Sequence, residues 1–397
     1  MTARKLLFGP YVGEFGWELT FFAGYVRRLV EATRRNECDI HVMSYPGRHV
    51  FYGPEVTFHP LPPDFVGARI SQNAYVTDQW IGDWPVIPNG ATFQSNVSQT
   101  YEDLLSRAQA DIGDLAQVVS PVRTFRCLFD PSRIFGTFIS PLRPLSPRPL
   151  NIPIPLDQQA RWRIAPFASD IARLKELRPT LFEVGDRPIV AVFPRCRAGR
   201  RPDKNWPESH YRTLIRRLQE AGALVVVVGA PGGCYFSDQS VPDGAVDLVN
   251  GIRETERLGL HVAALGRCSF AVGGISGALL MVMGCGVPVI EWGAALHEGE
   301  TRHQNVLNTP LAYLHEQVPT LESVWDIVAR ALETGAVQDG SYAVAKDVVA
   351  FEESRQVGVP PLELLRMKVF HRVDRALFKL KGKSVAAKGP FALQIGQ

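Results

Sequence analysis

Residues Ile189 to Ala230 read IVAVFPRCRAGRRPDKNWPESHYRTLIRRLQEAGALVVVVGA, and the pattern of this stretch decides the fold class. It opens on an uninterrupted apolar run, Ile189 to Phe193, and breaks at Pro194 into a cationic loop. It resumes as a segment in which Leu214 and Leu218 share one helical face among Arg212, Arg216 and Arg217, and it closes on a second apolar run, Val225 to Gly229. Short β-branched runs bounded by Pro and Gly suit buried parallel strands, and the helical spacing between them suits a crossover helix. The unit is therefore a βαβ crossover. The loop at the carboxyl end of its first strand carries Arg195, Arg197, Arg200, Arg201 and Lys204. In open α/β sheets ligands bind at that edge. Such a density of cations, with Trp206 between Asn205 and Pro207, points to an anionic ligand, most simply a phosphate or diphosphate. A solvated basic loop has the same composition.

Outward from this unit, length and composition narrow the class. With 397 residues the chain exceeds one ordinary domain, and two domains sharing a cleft is the expectation. A hydrophobic fraction of 46% with 21% charged residues is globular. The formal net charge of +3 is small for this length and demands no nucleic-acid partner. The start, MTARKLLFGP, has no apolar core long enough for a signal peptide, so a cytoplasmic protein is expected. The most apolar run, Ala278 to Ile290, contains Gly284, Gly286 and Pro288 and stops at Glu291, well short of a membrane span. Six cysteines lie scattered with no CxxC pair, and His41, His49 and His59 have no i,i+4 pairing, so neither a disulfide framework nor a metal site is expected.

Toward the amino terminus, Lys5 to Phe8 reads as a strand ending in a glycine-rich turn, GPYVGEFGWEL, followed by a helix from about Leu19 to Arg34. Gly9, Gly13 and Gly16 permit close approach of a ligand. The turn carries Glu14 and Glu18, and a carboxylate at the carboxyl end of a first strand is placed to act as a general base. Glu18 equally suits the positive end of its own helix. Asp39 to Ser44 is a second strand, and PGRHVFYGP reads as loop. Helical spacing recurs from Tyr101 to Leu115, whereas Pro121 to Pro155 is proline-crowded and reads as irregular. A helix from Ile171 to Leu177 leads to the second domain.

Toward the carboxyl terminus the strand and helix alternation continues: Ala245 to Val249, a helix from Thr255 to Leu265, then Ser269 to Val272. That last strand delivers the loop GGISG, Gly273 to Gly277, into a helix running to Cys285, with Val287 to Ile290 next. A strand, a glycine-rich loop and a helix amino terminus form an anion site, because exposed N–H groups and the helix dipole both favour phosphate. Two anion-seeking loops thus open on one sheet edge.

These residues resemble the donor half of bacterial heptosyltransferase-like glycosyltransferases. Three parts carry the resemblance: Pro194 and Arg195 ending a strand; Lys204 before Trp206 and Pro207; and Gly273 to Gly277 before an apolar helix and Gly286 to Pro288. It covers Ile189 to Gly293. The family's loop reads Asn-Asp-Ser-Gly with a His soon after, where this chain has Gly274, Ile275, Ser276, Gly277 and then Leu280. Its first turn has Gly-Asp, a place for which Glu14 and Glu18 compete here.

The resemblance implies a GT-B fold, two Rossmann-like domains facing across a cleft with a carboxyl-terminal helical segment. The division expected is an acceptor-side domain over 1–155, an interdomain helix over 156–185, a donor domain over 186–340 and a helical segment and tail over 341–397. It further implies a nucleotide-diphosphate sugar as donor, bound by Arg195, Lys204, Gly274, Ser276 and Gly277, and a glycan or small molecule as acceptor. Neither a cofactor nor a metal is expected, since cationic side chains would meet the leaving diphosphate. Glu14 or Glu18 would take the acceptor proton, most simply with inversion, and Glu298 or His303 in HEGETRHQN would meet ribose or sugar hydroxyls, although that stretch reads first as a solvated polar loop. A GT-B sugar-nucleotide epimerase and a non-catalytic glycan- or nucleotide-binding protein would use the same site. Leu362 to Lys383 sets Leu365, Val369, Val373 and Leu377 on one face amid basic residues. Such a helix can rest on the inner face of an anionic membrane or pack on the protein.

Overall fold

A computed structural model describes residues 4–9, 11, 15–24, 26–27, 30, 38–62, 104, 106–113, 117–119, 162–197, 202–237 and 239–349. The expectations for Glu14, for Pro121 to Pro155 and for the helix from Leu362 to Lys383 lie outside these residues. Among the described residues no helix is long and apolar enough to cross a membrane.

Two wholly parallel sheets organise the chain. The amino-terminal sheet has β1 (Arg4–Phe8), β2 (Cys38–Ser44), β3 (Thr57–Pro60) and β4 (Gln117–Val119) in the order β3-β2-β1-β4. The second has seven strands: β5 (Ile189–Phe193), β6 (Leu224–Val228), β7 (Val246–Leu248), β8 (Phe270–Gly274), β9 (Val289–Trp292), β10 (Leu311–Leu314) and β11 (Gly340–Tyr342). Their order is β11-β10-β9-β8-β5-β6-β7. The chain leaves β5 toward β6 on one side and β8 toward β9 on the other, so β5 and β8 flank the topological switch point.

Helices among the described residues include α1 (Phe15–Trp17), α2 (Ala168–Leu177), α3 (Glu208–Glu220), α4 (Glu254–Leu265), α5 (Gly277–Gly284), α6 (Glu298–Gln304) and α7 (Leu321–Thr334). All five residues of β5 are buried, because a central parallel strand is covered on both faces. Ile189, Ala191 and Phe193 enter one core with Leu279 and Val289, whereas Val190 and Val192 enter the other with Trp206 and Leu214. The expected βαβ unit is thus present. The helix expected from Leu19 starts earlier, with α1 and a wide π turn over Glu18–Phe22.

Several elements differ from the sequence reading. PGRHVFYGP, read as loop, holds a 3-10 turn over Arg48–Phe51, and edge strand β3 follows it. Pro60 ends β3, a position where its missing N–H leaves no gap in the ladder. Glu291, read as ending a strand, lies inside β9. HEGETRHQN is α6 instead of a polar loop, and β10, α7 and β11 had no counterpart in the reading. Strand β10 is only four residues long and wholly buried, so it has no alternation to read.

Elements of the two sheets meet through glycine contacts. A Cβ on Gly277, at the start of α5, would lie 3.2 Å from the Cα of Gly16 in α1. Gly47, at φ 80°, packs its backbone on the first turn of α4, where a Cβ would lie 3.0 Å from the carbonyl oxygen of Glu254. Residues 162–177 touch both halves: the Ile164 N–H donates to the Gly284 carbonyl at 2.8 Å, Arg163 Nε donates to the Cys285 carbonyl at 2.6 Å and α2 packs on α4, while the Arg27 guanidinium lies 5.0 Å from the Trp162 ring and the His49 ring 5.1 Å from that of Phe167.

Candidate functional site

The carboxyl ends of β5 and β8 are neighbours, with Phe193 paired to Gly273. The cationic loop and the GGISG loop therefore leave the sheet side by side. Asn205 organises the first. Fully buried, it accepts through Oδ1 from the Arg195 guanidinium and from the Arg197 N–H at 3.1 Å, and donates from Nδ2 to the Arg197 carbonyl at 2.9 Å. The start of the loop is also tied to the turn after β6: the Cys196 N–H donates to Gly233 and the Tyr235 N–H to Pro194, each at 3.0 Å. Arg195 and Lys204 are half-buried along this loop. Asn205 went unassigned in the sequence reading, and its place in a basic loop ahead of Trp-Pro was the available signal. Trp206 is an anchor and not a ligand surface. It is fully buried, donates from Nε1 to the Pro319 carbonyl at 2.7 Å, and sits with its ring 4.8 Å from that of Trp292.

The second loop places Gly274, Ser276 and Gly277 at the amino terminus of α5, with Ser276 as the extended residue that precedes it. No Cβ fits at Gly274 without meeting the Trp292 Nε1 at 3.0 Å. Behind the loop, on β9, lies Glu291, a residue the sequence reading did not use. It is fully buried, and burial pushes its carboxyl up to about 8 against the opposing influence of Lys204.

Beside these loops, the carboxyl ends of β6 and β7 border an open cleft of about 680 Å³ lined by Pro231, Gln239, Asp247, Asn250, Ile252 and Arg253. Its wall is held from inside. Asp247 accepts from the Val249 and Asn250 N–H groups at 2.7 and 3.0 Å, and buried Arg257 donates to the Val249 and Ile252 carbonyls at 2.7 and 2.9 Å. None of these residues stood out in the sequence, because each is an ordinary loop or strand-end residue until the strand ends align them.

The remaining candidates occupy different places. Glu18 is fully buried, and its carboxylate accepts from the Ser44 hydroxyl, the Tyr52 hydroxyl and the Arg48 guanidinium. Burial first, and the Glu18 charge second, hold the Tyr52 phenol well above its ordinary range. Burial works against the charge on Arg48, but Glu18 outweighs it and raises its pKa. Arg48 is further enclosed by the Tyr45 and Phe15 rings, 4.2 and 5.3 Å from its guanidinium carbon. With its oxygens so occupied, Glu18 braces the turn after β1 to the turn after β2.

Glu298 is likewise a brace. It accepts from Arg302 Nε at 2.7 Å, from His315 Nε2 at 2.5 Å and from the Ser341 hydroxyl, tying α6 to the ends of β10 and β11. Burial opposes its charge, yet these three partners outweigh it and hold the carboxyl down at about 2. His303 lies half-buried in the last turn of α6. The structure therefore brings Arg195, Lys204, Gly274, Ser276 and Gly277 to one edge, and gives Glu18 and Glu298 to internal networks.

A family model described as "Glycosyltransferase family 9 (heptosyltransferase)" matches residues 157–233, which include β5, the cationic loop and β6. No curated protein sequence matches the chain. Among solved structures, a family 9 glycosyl transferase from Veillonella parvula DSM 2008 is similar at 11% identity and a TM-score of 0.47, covering 92% of this chain and 97% of its own. ADP-heptose lps heptosyltransferase II from E. coli is similar at 15% identity and a TM-score of 0.44, covering 83% and 96%.

Proposed function

We propose that this chain, which carries a glycosyltransferase family 9 segment, transfers a sugar from a nucleoside-diphosphate sugar to an acceptor hydroxyl. The observation that carries the reading is the switch point. Two anion-binding devices of different kinds, a basic loop locked by Asn205 and a glycine-rich helix amino terminus, leave adjacent strands there.

In this reading Arg195 and Lys204 meet the charge that develops on the leaving diphosphate, with the Ser276 hydroxyl and the N–H groups of Gly274 to Gly277 on the same oxygens. Fixed cations and dipoles aimed at a developing charge supply the largest catalytic contribution in such transfers. The cleft beside β6 and β7 takes the nucleoside, since it adjoins the cationic loop on the same edge. The contact of Gly16 with Gly277 sets the turn after β1 against the donor loop, and the engagement of the buried Glu18 by Ser44, Arg48 and Tyr52 favours Glu14 as the base that takes the acceptor proton. Cationic side chains serve in place of a divalent metal.

Nucleoside-diphosphate binding and turnover by purified protein test this. Each charge-assisted hydrogen bond is worth about 1.5–3 kcal/mol, so Arg195→Ala with Lys204→Ala is expected to weaken binding by at least about a hundredfold. Glu14→Gln should collapse turnover while leaving that affinity alone. Unchanged binding in the double variant would sink the diphosphate assignment, and full turnover by Glu14→Gln would remove the base. Product formed from donor alone, with no acceptor, would make the enzyme an epimerase.

A further inference from the structure

Strand β9 reads Val-Ile-Glu-Trp, and its third residue breaks an otherwise apolar strand. Glu291 is fully buried, and neither of its carboxyl oxygens has a hydrogen-bond partner. An unpaired buried carboxyl is among the costliest arrangements a fold can carry. One standing directly behind a glycine-rich anion loop marks a place that something further completes.

Its surroundings narrow what that is. The positions paired with it on the flanking strands are Gly273, which has no side chain, and Tyr313, whose hydroxyl donates to the Ala294 carbonyl at 3.2 Å. The Ser276 N–H and the Thr301 hydroxyl favour the charged carboxyl from nearby, short of hydrogen-bond geometry. Elsewhere on α6, Glu298 and Arg302 are paired with each other. The cationic loop brings Lys204 to the same place: a Cβ on Gly274, next to the strand partner of Glu291, would lie 3.6 Å from the Lys204 carbonyl oxygen, and Lys204 is the charged group that acts on Glu291 among the described residues.

We propose that Glu291 is a positioning residue of the donor site: from behind the glycine-rich loop its unpaired carboxyl biases the Lys204 ammonium electrostatically while the site is empty and yields it to the diphosphate of an incoming donor. The inference rests on the donor-site reading above. A permanently ionised carboxylate would compete with the phosphate for the lysine and repel it. With its carboxyl pushed up to about 8, Glu291 is largely neutral at pH 7, so it does not oppose the incoming anion. When Lys204 turns to the diphosphate, the carboxyl loses the charge that favoured its ionised form and gains an anion nearby. Both changes raise its proton affinity. Above pH 8, binding therefore draws one proton from solvent onto Glu291, and affinity falls as pH rises.

The test is calorimetric titration of the full-length protein with ADP, GDP, UDP and dTDP from pH 7 to 9, in buffers of different ionisation enthalpy. For the tightest ligand, wild type is expected to hold its affinity to about pH 8. It should then lose it with a slope approaching about tenfold per pH unit, with proton uptake rising toward one. Glu291→Gln should bind with a profile flat to within about twofold and no uptake, whereas Glu291→Asp should keep the linkage. A wild-type profile with no uptake overturns the inference without recourse to any variant, and so does a Gln variant that retains the slope. Binding of none of the four nucleotides by wild type would instead sink the donor-site reading, and this inference with it.

Discussion

Replacing Glu18 by Gln separates a brace from a catalytic base. The carboxylate is fully buried, and the Arg48 side chain that pairs with it is 14% exposed. Glutamine keeps the shape but not the bonding: one oxygen becomes an NH2 group, a donor set against the donors of Ser44, Tyr52 or Arg48. The buried guanidinium is left without its counter-charge. Breaking a buried pair by removing one partner costs about 3–5 kcal/mol, because the remaining charge stays buried without compensation. At 2–4 °C per kcal/mol for domains of 150–250 residues, the melting temperature should fall by roughly 6–20 °C. Urea unfolding should show a lower midpoint with an unchanged slope, since the surface exposed on unfolding stays the same. Single changes of the neutral partners, Ser44→Ala and Tyr52→Phe, should each cost about 1–3 kcal/mol, as one buried lone-pair site loses its donor. The activity that remains, per folded molecule, should stay within a few-fold of wild type. If Glu18→Gln melts within 1 °C of wild type while turnover collapses, the carboxylate meets the acceptor and the bracing argument is wrong.

Two further expectations follow from the packing. Gly277→Ala puts a methyl group 3.2 Å from the Cα of Gly16 and the Phe15 ring edge, contacts that backbone can relieve only by moving α1 away from α5. Overpacking of this kind costs about 1–3 kcal/mol, and turnover should fall more than nucleoside-diphosphate affinity; a variant with wild-type melting and turnover would show that the two loops do not need this contact. His261 is buried and donates from Nε2 to the Leu248 carbonyl at 2.8 Å, and burial lowers its pKa to about 4. Because the folded value lies below the unfolded one, its contribution is present above about pH 6.5 and disappears as pH falls toward 4, amounting to about 3 kcal/mol over that span. Between pH 6.5 and 5, where few carboxylates titrate, wild type should lose more stability than His261→Gln; parallel loss in both would place the acid sensitivity elsewhere.

What the sequence disclosed depended on whether a feature is local. Strands β5 and β6 and helix α3 were legible because a central parallel strand is apolar throughout and its crossover helix is not. That the loops of Arg195 and Lys204 and of Gly273 to Gly277 leave strand ends was legible because the apolar runs before them are local. Helix α7 had readable signals that went unused: Thr320 caps it, accepting from the Ser323 N–H at 3.2 Å, and Gly335 ends it at φ 71°. The roles of Glu18 and Glu291 could not be read at all. The partners of Glu18 lie 26–34 residues away on another strand and turn. The burial of Glu291 comes from strands and helices on three sides, and VIEW by itself reads as a strand that stops at its first charge.

Glycine shows the same limit from the other direction. Gly16 and Gly277 each suit a backbone that must be approached closely, and sequence alone assigns that approach to a ligand. In the structure the two glycines approach each other, so their lack of side chains is spent on bringing two loops from different sheets to backbone contact. A glycine-rich turn thus states that something comes close without stating what. Here it sets the turn after β1 and the amino terminus of α5 at a separation where a single added methyl group would be felt by both.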